Sequence, residues 1–185
     1  MAKQGRKRAA RRVELDRLPT WVGRDEAINV VIETPKGSRN KYAFDPKQAL
    51  FRLKKVLPAG MTFPYDFGFV PSTLAQDGDP IDVLVLMDDA IFPGCVISCR
   101  LIGAILGEQH EKGKGKAVRN DRLVAVEESN HGYAFLKKLS ELGKTFVEEL
   151  EQFFVNYHEL SDEKFQIIDA VGPAKARKLV QDAER

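Results

Sequence analysis

The sequence predicts an α+β protein, with short strands building a small barrel or a strongly coiled sheet and a long helix laid against it. Three observations predict this. Short β-branched and apolar runs recur between Pro, Gly and Asp turn signals as far as residue 127. After residue 144 the apolar period changes to that of a helix. The length of 185 residues suits one domain with a core of its own.

In chain order, residues 27–33 (AINVVIE) are β-branched and apolar, residues 41–45 alternate, and residues 48–53 follow the Asp45-Pro46 turn signal. Together they predict a meander. Residues 81–87, 95–106 and 122–127 predict further strands, separated by Pro71, Pro80, Pro93, Gly94 and the 113–115 stretch. The segment 107–120 (GEQHEKGKGKAVRN) is rich in Lys and Gly and predicts a loop. Phe146, Val147, Leu150, Phe153, Phe154, Tyr157 and Leu160 fall on one stripe of an amphipathic helix. A second helix is expected from Pro173, a residue suited to a first helical turn, through Ala174, Leu179 and Val180.

Composition narrows the class. Apolar residues are 43% and charged residues 30%, and no apolar run approaches the roughly 20 residues of a membrane-spanning helix, which excludes such a span and wholesale disorder. No apolar stretch follows the basic N-terminus as a secretion signal would. Cys95 and Cys99 are the two cysteines, too few for a disulfide scaffold or a four-cysteine zinc site, so a cytoplasmic location is expected. Their spacing on one strand suits small core residues. The net charge is +2, but Lys3, Arg6, Lys7, Arg8, Arg11 and Arg12 carry six positive charges with no acid among them, leaving residues 13–185 at −4. Residues 1–20 therefore read as a basic, disordered arm, either solubilising or a tether for polyanions, and residues 21–185 as one domain. The scattered His110, His131 and His158 suit surface positions. Gly113-Lys114-Gly115-Lys116 lacks the strand-to-helix context of a phosphate loop.

The residues richest in chemistry are Asp77, Asp79 and Asp82, at the entrance to an apolar strand. Carboxylates so placed repel one another unless a cation or solvent relieves them. Gly78 and Pro80 let the chain turn so that Asp77 and Asp79 can approach one point, and Asp82 opens a strand face otherwise apolar. Such hard oxygens suit Mg²⁺, Mn²⁺ or Ca²⁺. The alternative is an acidic turn that only caps the strand.

The run DGDPIDV over residues 77–83 resembles the signature of the family I soluble inorganic pyrophosphatases, and flanking features fit in order. Val30-Val31-Ile32-Glu33 is similar to the family's first core strand with its acidic residue, and Lys41-Tyr42 to its phosphate-binding lysine. Residues 63–69 (FPYDFGF) lie over its tyrosine-rich segment, residues 121–126 over a later strand, and Phe153, Phe154 and Tyr157 over its long helix. The resemblance implies a five-stranded OB-like β-barrel with extra strands and flanking C-terminal helices. It also implies hydrolysis of pyrophosphate to two phosphates with Mg²⁺, or Mn²⁺ as the alternative. By the same resemblance Asp77 and Asp82 ligate the activating metal, with Asn120 at a third ligand position. Asp79 is the general base, Lys41, Lys54, Arg122 and Tyr157 hold phosphate, and Glu33 is a supporting acid. A homo-oligomer, a hexamer or smaller, is implied, with no membrane or nucleic-acid partner.

The chain also departs from the family pattern. Ala43 stands where a second glutamate is usual, Lys54 replaces an arginine, and Phe63 and Phe67 replace tyrosines. Asn120 replaces a metal-binding aspartate, Arg122 a lysine and His158 a lysine, while Asp121 competes with Asn120 for the ligand role. These changes keep the three aspartates whole, so a divergent active enzyme is expected. The rival classes are a weakened paralogue that binds polyanions or nucleic acid, and a hydrolase of larger phosphoanhydrides.

Overall fold

The computed structural model describes residues 13–24, 27–110, 116–160 and 163–185. The arm over residues 1–12 and the 113–115 stretch lie outside the described residues. Residues expected in the basic arm contact the body: Leu15–Arg17 forms a 3-10 turn, Asp16 O accepts from Ser72 N at 2.8 Å, and buried Thr20 donates from Oγ1 to Pro71 O at 3.0 Å.

The strands are β1 (Trp21–Val22), β2 (Ala27–Thr34), β3 (Asn40–Asp45), β4 (Leu50–Val56), β5 (Asp66–Phe69), β6 (Asp82–Leu86), β7 (Val96–His110), β8 (Val118–Arg119), β9 (Arg122–Glu127) and β10 (Lys164–Val171), with helices α1 (Lys144–Glu159) and α2 (Pro173–Ala183). Pairing runs β2 to β5, β6, β9 and β7, and β7 returns to β2, which closes a five-stranded ring. The β6–β9 pair is parallel and the other four are antiparallel. This is the OB-like α+β barrel expected, with β1, β8 and β10 as additions and α1 and α2 as flanking helices.

Both faces of the central strands are buried, because alternate residues feed two cores. Val83, Val85, Leu123 and Ala125 join the core under α2, which contributes Ala176 and Val180. Leu84, Leu86, Val124 and Val126 join the core under α1, which contributes Leu150 and Phe154. Burial on two sides removes the polar alternation of a half-exposed strand and leaves continuous apolar runs. The helical stripe packs as the spacing predicts, except that Leu160 is the C-cap of α1 and is exposed.

Several boundaries differ from expectation. The first three strands are not one meander: β3 and β4 form a separate hairpin, joined to β2 by side chains. Thr34 Oγ1 accepts from Tyr42 N at 3.0 Å, and Glu33 Oε1 from Phe44 N at 2.7 Å. Strand β7 extends to His110, into the expected loop, and pairs there with β8 and β10. Gly107 permits this, since a Cβ there would sit 2.3 Å from the Phe165 ring. Strand β5 carries Gly68, whose missing side chain admits the backbone of β2; a Cβ would lie 2.1 Å from Val31 O. Among the described residues no helix is long and apolar enough to cross a membrane.

Candidate active site

A cleft of about 380 Å³ opens where the β3–β4 hairpin, the 77–82 loop, the start of β9 and α1 meet. Lys41, Lys54, Arg122 and Arg185 line it with Glu33, Asp79, Asp82 and Asp16, so cations and carboxylates balance. Apolar walls come from Phe63, Phe67, Phe69 and Phe154, with Tyr157 beside them. Asp16 and Arg185 are the lining residues that the sequence reading missed. Each reaches the cleft only through tertiary contacts, Ser72 N donating to Asp16 O at 2.8 Å and Arg185 N to Ser72 O at 3.1 Å.

Topology explains the meeting. Asp82 and Arg122 are the first residues of parallel neighbours β6 and β9 and are register partners. Arg122 Nη1 lies 2.9 Å from Asp82 Oδ2. Gly78, at φ 93°, makes the turn that precedes them, and Asp79 N donates to Asp77 Oδ1 at 3.1 Å. Asp79 lines the cleft, whereas Asp77 is exposed beside it, outside the lining residues, and accepts that amide.

Burial sets the electrostatics. Glu33 is 7% exposed; burial raises its carboxyl pKa, against the pull of Lys41 Nζ at 3.1 Å and the Phe44 amide. The same ammonium sits 3.9 Å from the centroid of the Phe67 ring, a cation–π contact in place of a phenol. Burial raises the Asp77 carboxyl, with repulsion from Asp82 and Asp79 adding to it. Burial also pushes the Tyr157 phenol up to about 12, so its hydroxyl remains a donor at neutral pH.

Asn120 is buried but is not among the residues lining the cleft. Its Oδ1 accepts from Arg122 Nη1, and its Nδ2 donates to Gln109 Oε1 at 2.6 Å. Both ends of the amide are thus engaged by protein groups. Asp121 points away, its Oδ1 accepting from Arg119 Nε at 2.7 Å and Gly107 N at 3.1 Å. His158 corrects the surface reading. It is 3% exposed, stacked on Phe165 with centroids 4.6 Å apart, and donates from Nδ1 to Phe154 O at 2.8 Å.

The donor set at the loop is all carboxylate oxygen, which fits a hard divalent cation rather than zinc or copper. The mutual repulsion of Asp77, Asp79 and Asp82 is the strain such a cation would relieve. Among the described residues no three His, Cys, Asp or Glu side chains form a ready-made ligand group.

Comparison with known proteins adds a family. The family model for inorganic pyrophosphatase matches residues 30–185. The chain is similar to an inorganic pyrophosphatase from Synechocystis sp., at 38% identity over 166 residues, covering 87% of this chain and 94% of the relative. A second relative, an inorganic pyrophosphatase from Nostoc sp., is 38% identical over 171 residues, covering 92% and 97%. The crystal structure of inorganic pyrophosphatase from Thermus thermophilus matches with a TM-score of 0.84 at 29% identity, covering 92% of this chain and 97% of that one. A barrel of this topology, a cleft of mixed charge at the DGDPIDV loop and a family match over most of the length agree: the chain belongs to the inorganic pyrophosphatase family.

Proposed function

We propose that this protein hydrolyses inorganic pyrophosphate to two phosphates in the cleft between the 77–82 loop and the β3–β4 hairpin. The observation that carries the reading is the meeting of Asp79 and Asp82 with Lys41, Lys54 and Arg122 in one walled cleft, with residues from four separate parts of the chain. A tetra-anionic substrate needs the cations, and generating a nucleophile from water needs the carboxylates. The identity of the relatives supports the same reaction and does not favour the polyanion-binding alternative.

Asp77 and Asp82 would hold a hard divalent cation, Mg²⁺ by the family resemblance with Mn²⁺ as the alternative. When bound, such a cation lowers the pKa of water and neutralises phosphate charge. Asp79, exposed to the cleft, is placed to take the proton as a water oxygen bonds to one phosphorus and the bridging P–O bond breaks. The bridging oxygen leaves with the second phosphate. Lys41 and Arg122 hold phosphate oxygens as that charge shifts, Tyr157 donates from its protonated phenol, and the more exposed Lys54 adds charge at the hairpin. Glu33 fixes Lys41 and the hairpin against β2. Asn120 is left out of the ligand set because its amide is already bonded at both ends.

Phosphate release from pyrophosphate is the test, measured with Mg²⁺, with Mn²⁺ and with a chelator. Asp79→Asn should lower turnover by about 10² to 10⁴ at unchanged circular dichroism, the range a positioned base supplies. Wild-type turnover in Asp79→Asn would remove the base from Asp79, and turnover indifferent to chelation would remove the metal.

A further inference from the structure

The Arg122 guanidinium is gripped along one side only. Nη1 donates to Asp82 Oδ2 at 2.9 Å and to Asn120 Oδ1. Nε is buried without a partner, and Nη2 takes no part in these bonds. The rings of Phe154 and Phe165 lie 5.6 and 5.7 Å from the guanidinium carbon and limit its rotation. An arginine carries two parallel donors along its Nε–Nη2 edge, a geometry that matches two oxygens of one phosphate. Arg122 lines the cleft, and Nη2, which takes part in none of these bonds, is the donor left for a ligand, with the buried and partnerless Nε beside it.

The direction of that edge depends on an amide that can face only one way. Arginine has donors and no acceptor, so Asn120 must turn its carbonyl oxygen to Nη1 and its amino group away. The amino group then donates to Gln109 Oε1 at 2.6 Å. Gln109 stands on β7 where the strand is paired on both sides, with Val118 of β8 and Phe165 of β10, so its backbone is fixed. We propose that Gln109 and Asn120 are positioning residues, a side-chain relay that aims the Nε–Nη2 edge of Arg122 at a phosphate group of the substrate. The proposal rests on the pyrophosphatase reading of the cleft.

Gln109→Leu removes the acceptor and Gln109→Glu keeps it. Both are compared with wild type and Arg122→Lys by titration with inorganic phosphate and by steady-state pyrophosphate hydrolysis, with melting temperature as the folding control. Gln109→Leu should raise the phosphate Kd and the pyrophosphate KM on the order of tenfold, with a smaller change in kcat, because misplacing a binding group by a fraction of an ångström costs that much. Gln109→Glu should restore both constants. In an Arg122→Lys background, Gln109→Leu should add nothing, since an ammonium has no planar edge to aim. Equal losses in the Leu and Glu variants, or a Leu effect undiminished in the Arg122→Lys background, overturn the relay and leave the cleft assignment standing. Wild-type constants in Arg122→Lys itself overturn both the relay and the role of Arg122 in phosphate binding.

Discussion

Acid should destabilise this protein through one buried imidazole. His158, near the end of α1, is packed between Tyr157 and Phe165 and faces the Arg122 charge. Burial first, and that guanidinium second, push its pKa down to about 4 from 6.5. The unfolded chain takes up a proton near pH 6.5, while the folded chain refuses it until about pH 4. Throughout that window the unfolded state binds more protons, so stability falls as pH falls. The full effect is about 3 kcal/mol, of which about 2 kcal/mol is already lost at pH 5, equivalent to ~4–8 °C in Tm for a chain of this size. Glu33, Asp66 and Asp77 have raised carboxyl pKa values and act in the opposite sense, holding protons more tightly when folded. The wild-type curve alone is therefore composite, and the difference from His158→Gln isolates the imidazole. Urea unfolding at one protein concentration, at about pH 7 and about pH 5, provides the measurement. Whatever the substitution costs at neutral pH, the gap between variant and wild type should narrow by about 2 kcal/mol on acidification. A gap that stays constant would refute a neutral, desolvated His158.

Two further outcomes test the packing. Gly68→Ala should destabilise by at least about 3 kcal/mol, because its Cβ would meet Val31 O and Ile32 Cα, backbone atoms of a paired strand that cannot swing aside; a melting temperature within a few degrees of wild type would show that β2 and β5 can separate. Phe67→Tyr should lower the pyrophosphate KM several-fold, since a hydrogen bond to a charged oxygen is worth about 1.5 to 3 kcal/mol before reorganisation. An unchanged KM with lost stability would show that the Phe67 ring edge, 4% exposed, faces core rather than cleft.

The strands that the sequence made legible are those whose apolar runs are long, such as β2 and the paired β6 and β9, because burial in two cores demands such runs. The strands it hid are the ones interrupted by glycine or by irregular pairing. Strand β5 is four residues with Gly68 inside it, and β10 shifts register between Ile167 and Asp169, which breaks its alternation and leaves Ile168 exposed. With β10 unseen, nothing in the helical spacing could show that His158 faces a strand rather than solvent. The site divides in the same way. Asp79, Asp82, Glu33, Lys41 and Arg122 sit in local motifs and could be read from them. Asp16 and Arg185 reach the cleft, and Gln109 reaches Asn120, through approach from distant segments, and no local pattern marks them. Gly107, the first residue of the expected loop, is instead the place where the Phe165 ring presses against β7.

Two neutral neighbours surround Arg122. Asn120 carries no charge, and His158 is neutral because its pKa is pushed down to about 4. Both contact or face Arg122, Asn120 through Nη1 and His158 through its field. Neither therefore adds a charge beside the guanidinium, where Coulomb energies are poorly screened. A lysine held by a carboxylate is a point charge in an ionic pair, whereas this arginine has one side tied by Asp82 and a neutral amide while its other side keeps its donors for a ligand. A carboxylate at 120 would draw Nη1 from Asp82, and a protonated imidazole at 158 would repel the guanidinium. With both neighbours neutral, Asp82 is the ion-pair partner of Arg122, and the Nη2 side of the guanidinium is left out of that pairing.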